Sequence, residues 1–86
     1  VTEAQRDAAL GLLTVHERIP AAVEGTSAVI EAVPEILDLK RALFGTVAQH
    51  VGDHTILASN TSSLSIATIA EGLPRPERVI GLHFFN

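Results

Sequence analysis

Three short apolar runs, residues 28–33 (AVIEAV), 55–59 (TILAS) and 79–83 (VIGLH), are separated by stretches whose apolar residues recur at helical spacing. No other feature of the chain constrains its fold as strongly. Each run is apolar on nearly every residue, the pattern of a strand covered on both faces, and each is too short to stand as a helix. Strands that alternate with helices are joined by right-handed crossovers and lie parallel in one sheet. The sequence therefore predicts an α/β fold, a doubly wound, mainly parallel sheet with helices on both faces.

The intervening elements follow from local signals. Residues 2–13 read as a helix with Thr2 as N-cap, carrying Ala4, Ala8, Ala9 and Leu12 on one side and Gln5, Arg6 and Asp7 towards solvent. Thr14 and Val15 read as the end of a short strand, and residues 21–24 as a turn of helix after Pro20, closed by Gly25. Pro34 stands where helices begin, and Ile36, Leu39, Leu43, Val47 and Val51 then mark its apolar face. Residues 64–71 predict the next helix, closed by Gly72 and Pro74. Repeats, low-complexity tracts and linkers are absent from the sequence.

Composition narrows the function classes. The net charge is −4 and the six basic residues are scattered, so neither a nucleic-acid footprint nor a membrane-surface patch is present. With no cysteine there is no disulfide framework and no thiolate metal site, and no metal is expected. The chain has 86 residues, of which 47% are hydrophobic, more apolar surface than so short a unit readily buries alone. Together with the lack of Met and the stop directly after an apolar run, this reads as an internal piece of a longer protein.

In open α/β sheets ligands bind beyond the carboxyl ends of the strands. Three stretches occupy that edge: Glu35 after the first run, the 60–63 segment (NTSS) after the second, and His83 at the end of the third. Each has an ordinary structural explanation. Ser63 or Ser65 would cap the following helix, Glu35 would complement a helix dipole, and Lys40 would lie on a solvated helix face. His16, His50 and His54 receive no role. Spacing alone does not select a site here.

The wording of two motifs does. Residues 56–64 read ILASNTSSL and residues 81–86 read GLHFFN, preceded by VIEAVPEILDLKRALF over 29–44. Together they resemble the NAD-binding domain of 3-hydroxyacyl-CoA dehydrogenases, including 3-hydroxybutyryl-CoA dehydrogenases and the matching part of multifunctional fatty-acid oxidation proteins. The resemblance covers residues 28–86 strongly and residues 1–27 by position in the fold. It implies the C-terminal half of a Rossmann-like domain and an enzyme that interconverts 3-hydroxyacyl-CoA and 3-oxoacyl-CoA with NAD. The rival expectation is a non-catalytic nucleotide-binding or structural homologue.

By resemblance His83 is the catalytic histidine. A hydroxyl proton must leave as hydride departs from the same carbon, and an imidazole can take it or return it at neutral pH. Ser62 matches the serine that hydrogen-bonds the reacting oxygen, donating to a ketone or accepting from an alcohol. Glu35, Lys40, Asn60 and Asn86 match positions on the cofactor side of the cleft, while Phe84 and Phe85 match packing residues. The resemblance also implies an acyl-CoA substrate and a homodimeric full-length protein. The compartment would be the cytoplasm of a bacterium or the mitochondrial matrix of a eukaryote.

The departures from the family pattern are equally specific. The sequence has no G-x-G-x-x-G loop to seat a pyrophosphate on a helix N-terminus, and no acidic residue after a second strand to choose the ribose hydroxyls. The helical dimerisation domain and the glutamate partner of the histidine, about twelve residues beyond it in the family, are absent as well. The 86 residues alone are therefore expected to be inactive.

Overall fold

The computed structural model describes residues 1–83, so Phe84, Phe85 and the expected cofactor-side Asn86 lie outside the described residues. Eight elements follow one another: α1 (Glu3–Leu10), α2 (Ile19–Val23), β1 (Ala28–Glu31), α3 (Leu37–Ala48), β2 (Ile56–Ser59), α4 (Ile66–Ala70), a 3-10 turn (Pro76–Arg78) and β3 (Val79–Gly81). The three strands form one parallel sheet in the order β1-β2-β3, with Glu31 opposite Ser59 and Ser59 opposite Gly81. The α/β class is that predicted, as is the order of strands and helices from β1 onward.

Among the described residues the helices cover one face of the sheet, as one half of a doubly wound sheet does. Both crossovers step in one direction across the sheet. Two right-handed connections that step the same way must place α3 and α4 on the same face. On that face Leu57 and Val79 pack with Val23 of α2, Phe44 and Val47 of α3, and Ile69 and Ala70 of α4. The opposite face carries Ile30, Ile56 and Ile80, all exposed, and Leu82 follows at its edge. Only Ala58, small and set between Ile30 and Ile80 in register, is buried there.

Local chemistry explains most boundaries. Thr2 does cap α1: its hydroxyl accepts the Gln5 N–H at 3.1 Å while Gln5 returns a bond to the Thr2 N–H at 2.9 Å. No residue of α1 is buried, so the apolar side predicted for 2–13 is left exposed, and the helix stops at Leu10. Thr14 and Val15 form no strand; among the described residues the sheet has three members. Gly25 and Gly72 turn the chain at φ +74° and +82°, a conformation that glycine adopts at no steric cost.

Helix α3 departs most from expectation. It begins at Leu37, not at Pro34, and its N-cap is Ile36. Its buried residues are Lys40, Phe44 and Val47, whereas Ile36 and Leu39 are exposed. The helix is thus rotated from the phase its apolar residues suggest, and it carries a lysine into the core.

Candidate active site

The carboxyl ends of β1 and β2 are tied together from below and from above. Below, Glu31, Lys40 and Ser59 are all buried. The Glu31 carboxylate accepts the Lys40 ammonium at 2.6 Å and the Val33 N–H at 2.7 Å through one oxygen, and the Ser59 hydroxyl through the other. The Asn60 N–H extends the ladder, donating to the Glu31 carbonyl at 2.9 Å.

Above, Glu35 reaches across to the loop after β2. Its carboxylate accepts the Thr61 hydroxyl at 2.7 Å, the Ser62 N–H at 3.0 Å, and the Ser62 and Ser63 hydroxyls at 3.3 and 3.4 Å. The Lys40 ammonium stands 3.6 Å from Oε1, the oxygen that also takes the Thr61 hydroxyl. The Thr61 hydroxyl, the Ser62 N–H and the Lys40 charge together hold the Glu35 carboxyl at about 2, well below its ordinary 4.5. Glu35 lies before the N-cap of α3, so a dipole role in its first turn does not describe it.

The serines divide their tasks. Ser65 caps α4 by accepting the Thr68 N–H at 3.3 Å. Ser63 turns to Glu35 and caps no helix. Thr61 accepts the Leu64 N–H at 3.1 Å while donating to Glu35, which closes the loop on itself.

Ser62 and Ser63 are exposed on this loop, and His83 is exposed two residues past the end of β3. Ser59 and Gly81 are in register, and the Leu82 N–H still donates to the Ser59 carbonyl at 2.9 Å. The segments that carry Ser62 and His83 therefore leave the same sheet edge from adjacent strands, about 4.8 Å apart. Gly81 permits close packing there, since a Cβ at that position would lie 3.3 Å from two side-chain carbons of Ile66 in α4.

Of the expected site residues, the structure brings Glu35, Lys40, Asn60 and Ser62 to one network and sets His83 on the neighbouring strand end. The reading of Lys40 as a solvated helix face is overturned: the residue has no exposed surface, and its ammonium faces Glu31, Glu35 and two main-chain carbonyls. Glu31 was missed. The available signal was a single charged residue inside an apolar strand, two positions from Val29 and so on the same face, which demands a buried partner.

All 86 residues match the family model described as 3-hydroxyacyl-CoA dehydrogenase, NAD binding domain. The chain belongs to this family. Among its relatives is the fatty acid oxidation complex subunit alpha of Shewanella amazonensis, 44% identical over the whole chain, of which the match covers 12%. Among solved structures, the 3-hydroxybutyryl-CoA dehydrogenase of Escherichia coli superposes with a TM-score of 0.93 at 42% identity, over the full chain and 18% of that protein. The (S)-3-hydroxybutyryl-CoA dehydrogenase of Ralstonia eutropha gives 0.91 at 40% identity, over the full chain and 30% of that protein. The chain thus spans under a third of each of these relatives. Among the described residues, no helix is long and apolar enough to cross a membrane.

Proposed function

We propose that this segment forms one wall of the cleft of an NAD-dependent enzyme that interconverts 3-hydroxyacyl-CoA and 3-oxoacyl-CoA. The observation that carries the reading is the bond set from Glu35 to the 61–63 loop, which fixes Ser62 at the carboxyl edge of a parallel sheet. That is where open α/β sheets bind ligands.

The residues suit one end of a dinucleotide. An ionised carboxylate and exposed hydroxyls line the rim, a polar set matched to ribose hydroxyls and a carboxamide. The sequence holds no G-x-G-x-x-G loop, so the pyrophosphate would be seated by another part of a longer polypeptide. What bound NAD supplies is a hydride acceptor. Glu35, Asn60 and Asn86 would serve the cofactor side, with Lys40 acting from beneath Glu35.

The remaining chemistry is a proton transfer with its oxygen held in place. His83 takes the proton of the 3-hydroxyl in the oxidative direction and returns it in the reductive one. Ser62 accepts from the alcohol and donates to the ketone, so its hydroxyl serves both directions without covalent attack. A helical domain outside this segment would complete the acyl pocket and a homodimer.

The test is acetoacetyl-CoA-dependent oxidation of NADH by the full-length protein. Turnover is expected, as are an upstream G-x-G-x-x-G and a Glu about twelve residues past His83. A folded full-length protein with neither motif and no turnover would overturn the reading.

A further inference from the structure

The buried cluster of Glu31, Lys40 and Ser59 lies between the sheet and α3, where an apolar side chain would ordinarily pack. A buried ion pair is a poor device for stability alone, because well-packed apolar replacements are often as stable or more so. The direction of its bonds is more informative. Besides Glu31, the Lys40 ammonium meets the Val33 carbonyl at 3.3 Å, the Asn60 carbonyl at 3.5 Å and Glu35 Oε1 at 3.6 Å. All three belong to the two loops at the cleft rim.

We infer that Glu31 is a positioning residue: its carboxylate sets the Lys40 ammonium, which in turn fixes Glu35 and the 61–63 loop that carries Ser62. The inference rests on the dehydrogenase reading for its consequence in cofactor binding, though the positioning itself does not need the cofactor. Two carboxylates share one ammonium here. Glu31 and Lys40 cancel in the interior, which leaves one negative charge at the rim, on Glu35. With Glu31 neutralised, Glu35 becomes the counter-charge of a buried cation. The carboxylate is then drawn inward, away from Thr61 and Ser62.

The experiment uses the full-length protein carrying Glu31→Gln, Lys40→Met, or both. It reads the NADH dissociation constant by fluorescence titration, the thermal midpoint of the ligand-free protein, and hydrogen exchange at the Ser62 amide. Glu31→Gln should weaken NADH binding and speed Ser62 exchange by about tenfold each, the scale of coupling within one network. In the Lys40→Met background the same change should alter either quantity by less than about twofold, because the intermediary is gone. The double variant should regain thermal midpoint over both single variants without regaining NADH affinity.

Equal losses in both backgrounds would overturn the inference, as would unchanged binding and exchange in Glu31→Gln. Recovery of affinity together with the midpoint would assign the pair a structural role only. Should Glu31→Gln fail to fold, Ser59→Ala replaces it, removing one partner of the same carboxylate without a change of charge. It should speed Ser62 exchange about threefold in the unmodified background and not with Lys40→Met; equal effects would again overturn the inference. A wild-type protein that bound no NADH would defeat the dehydrogenase reading, and Ser62 exchange would still judge the positioning.

Discussion

Glu35 and Ser62 stand on different crossover loops, and the carboxylate of the first accepts the main-chain N–H of the second at 3.0 Å. A bond to a main-chain donor fixes the path of the loop as well as one rotamer. The two loops therefore behave as one unit, with an anionic group at their junction.

Acid should loosen that junction. The Glu35 carboxyl is held at about 2 against an ordinary 4.5, so the folded state favours its charged form. For a depressed carboxyl, the contribution to stability is fully present above 4.5 and is lost as pH falls from there through about 2. Unfolding free energy measured against pH should show this loss in the full-length protein. In Glu35→Gln the curve should be flatter across that window, and an unchanged slope would refute the assignment.

Ser62 and His83 should separate from stability. Both are exposed, so Ser62→Ala and His83→Gln should shift unfolding free energy by only about 0.5 kcal/mol or less. Steady-state kinetics of acetoacetyl-CoA reduction should show kcat down about a hundredfold for each. A large fall in thermal midpoint with kcat retained would mean that these residues only hold the loops together.

Lys40 should weigh heavily on stability. Lys40→Met leaves the Glu31 carboxylate buried without its cation, a change that costs about 3–5 kcal/mol. Urea denaturation of the full-length variant measures it. A loss comparable to that of a surface lysine would contradict the buried pair.

Gly81 should tolerate little bulk. Gly81→Ala brings a methyl group to 3.3 Å from Ile66, and Gly81→Val adds branches where α4 has no room. Overpacking of this kind costs about 1–3 kcal/mol, and the valine variant should sit at the upper end by thermal melting. Pairing Gly81→Ala with Ile66→Val should recover part of the loss; no recovery would place the strain elsewhere.

The sequence made the order of strands and helices legible because each strand was a short apolar run and each crossover carried helical periodicity. It misled at α3 for a specific reason. Ile36, Leu39 and Leu43 form a convincing apolar ladder, yet the buried stripe runs through Lys40, Phe44 and Val47. A lysine on that stripe shifts the phase of any hydrophobicity pattern. The partner that keeps it inside, Glu31, sits on a different element, out of reach of local periodicity. Family likeness supplied Glu35 and Ser62 as site residues; their bond to one another appeared only once the loops were side by side. The helices cover one face of these three strands because they wind in one direction, which is one half of a doubly wound arrangement.

That one-way winding has a genetic side. Glu31, Lys40, Ser59, Glu35, Ser62 and Gly81 all fall within the stretch that opens at β1 and closes with β3. A crossover event between relatives that exchanged this stretch whole would transfer the ion pair, its carboxylate junction and the serine loop in a single inheritance, with no partner left behind. A breakpoint between Glu31 and Lys40 would instead ask two lineages to agree on the same buried charge pair.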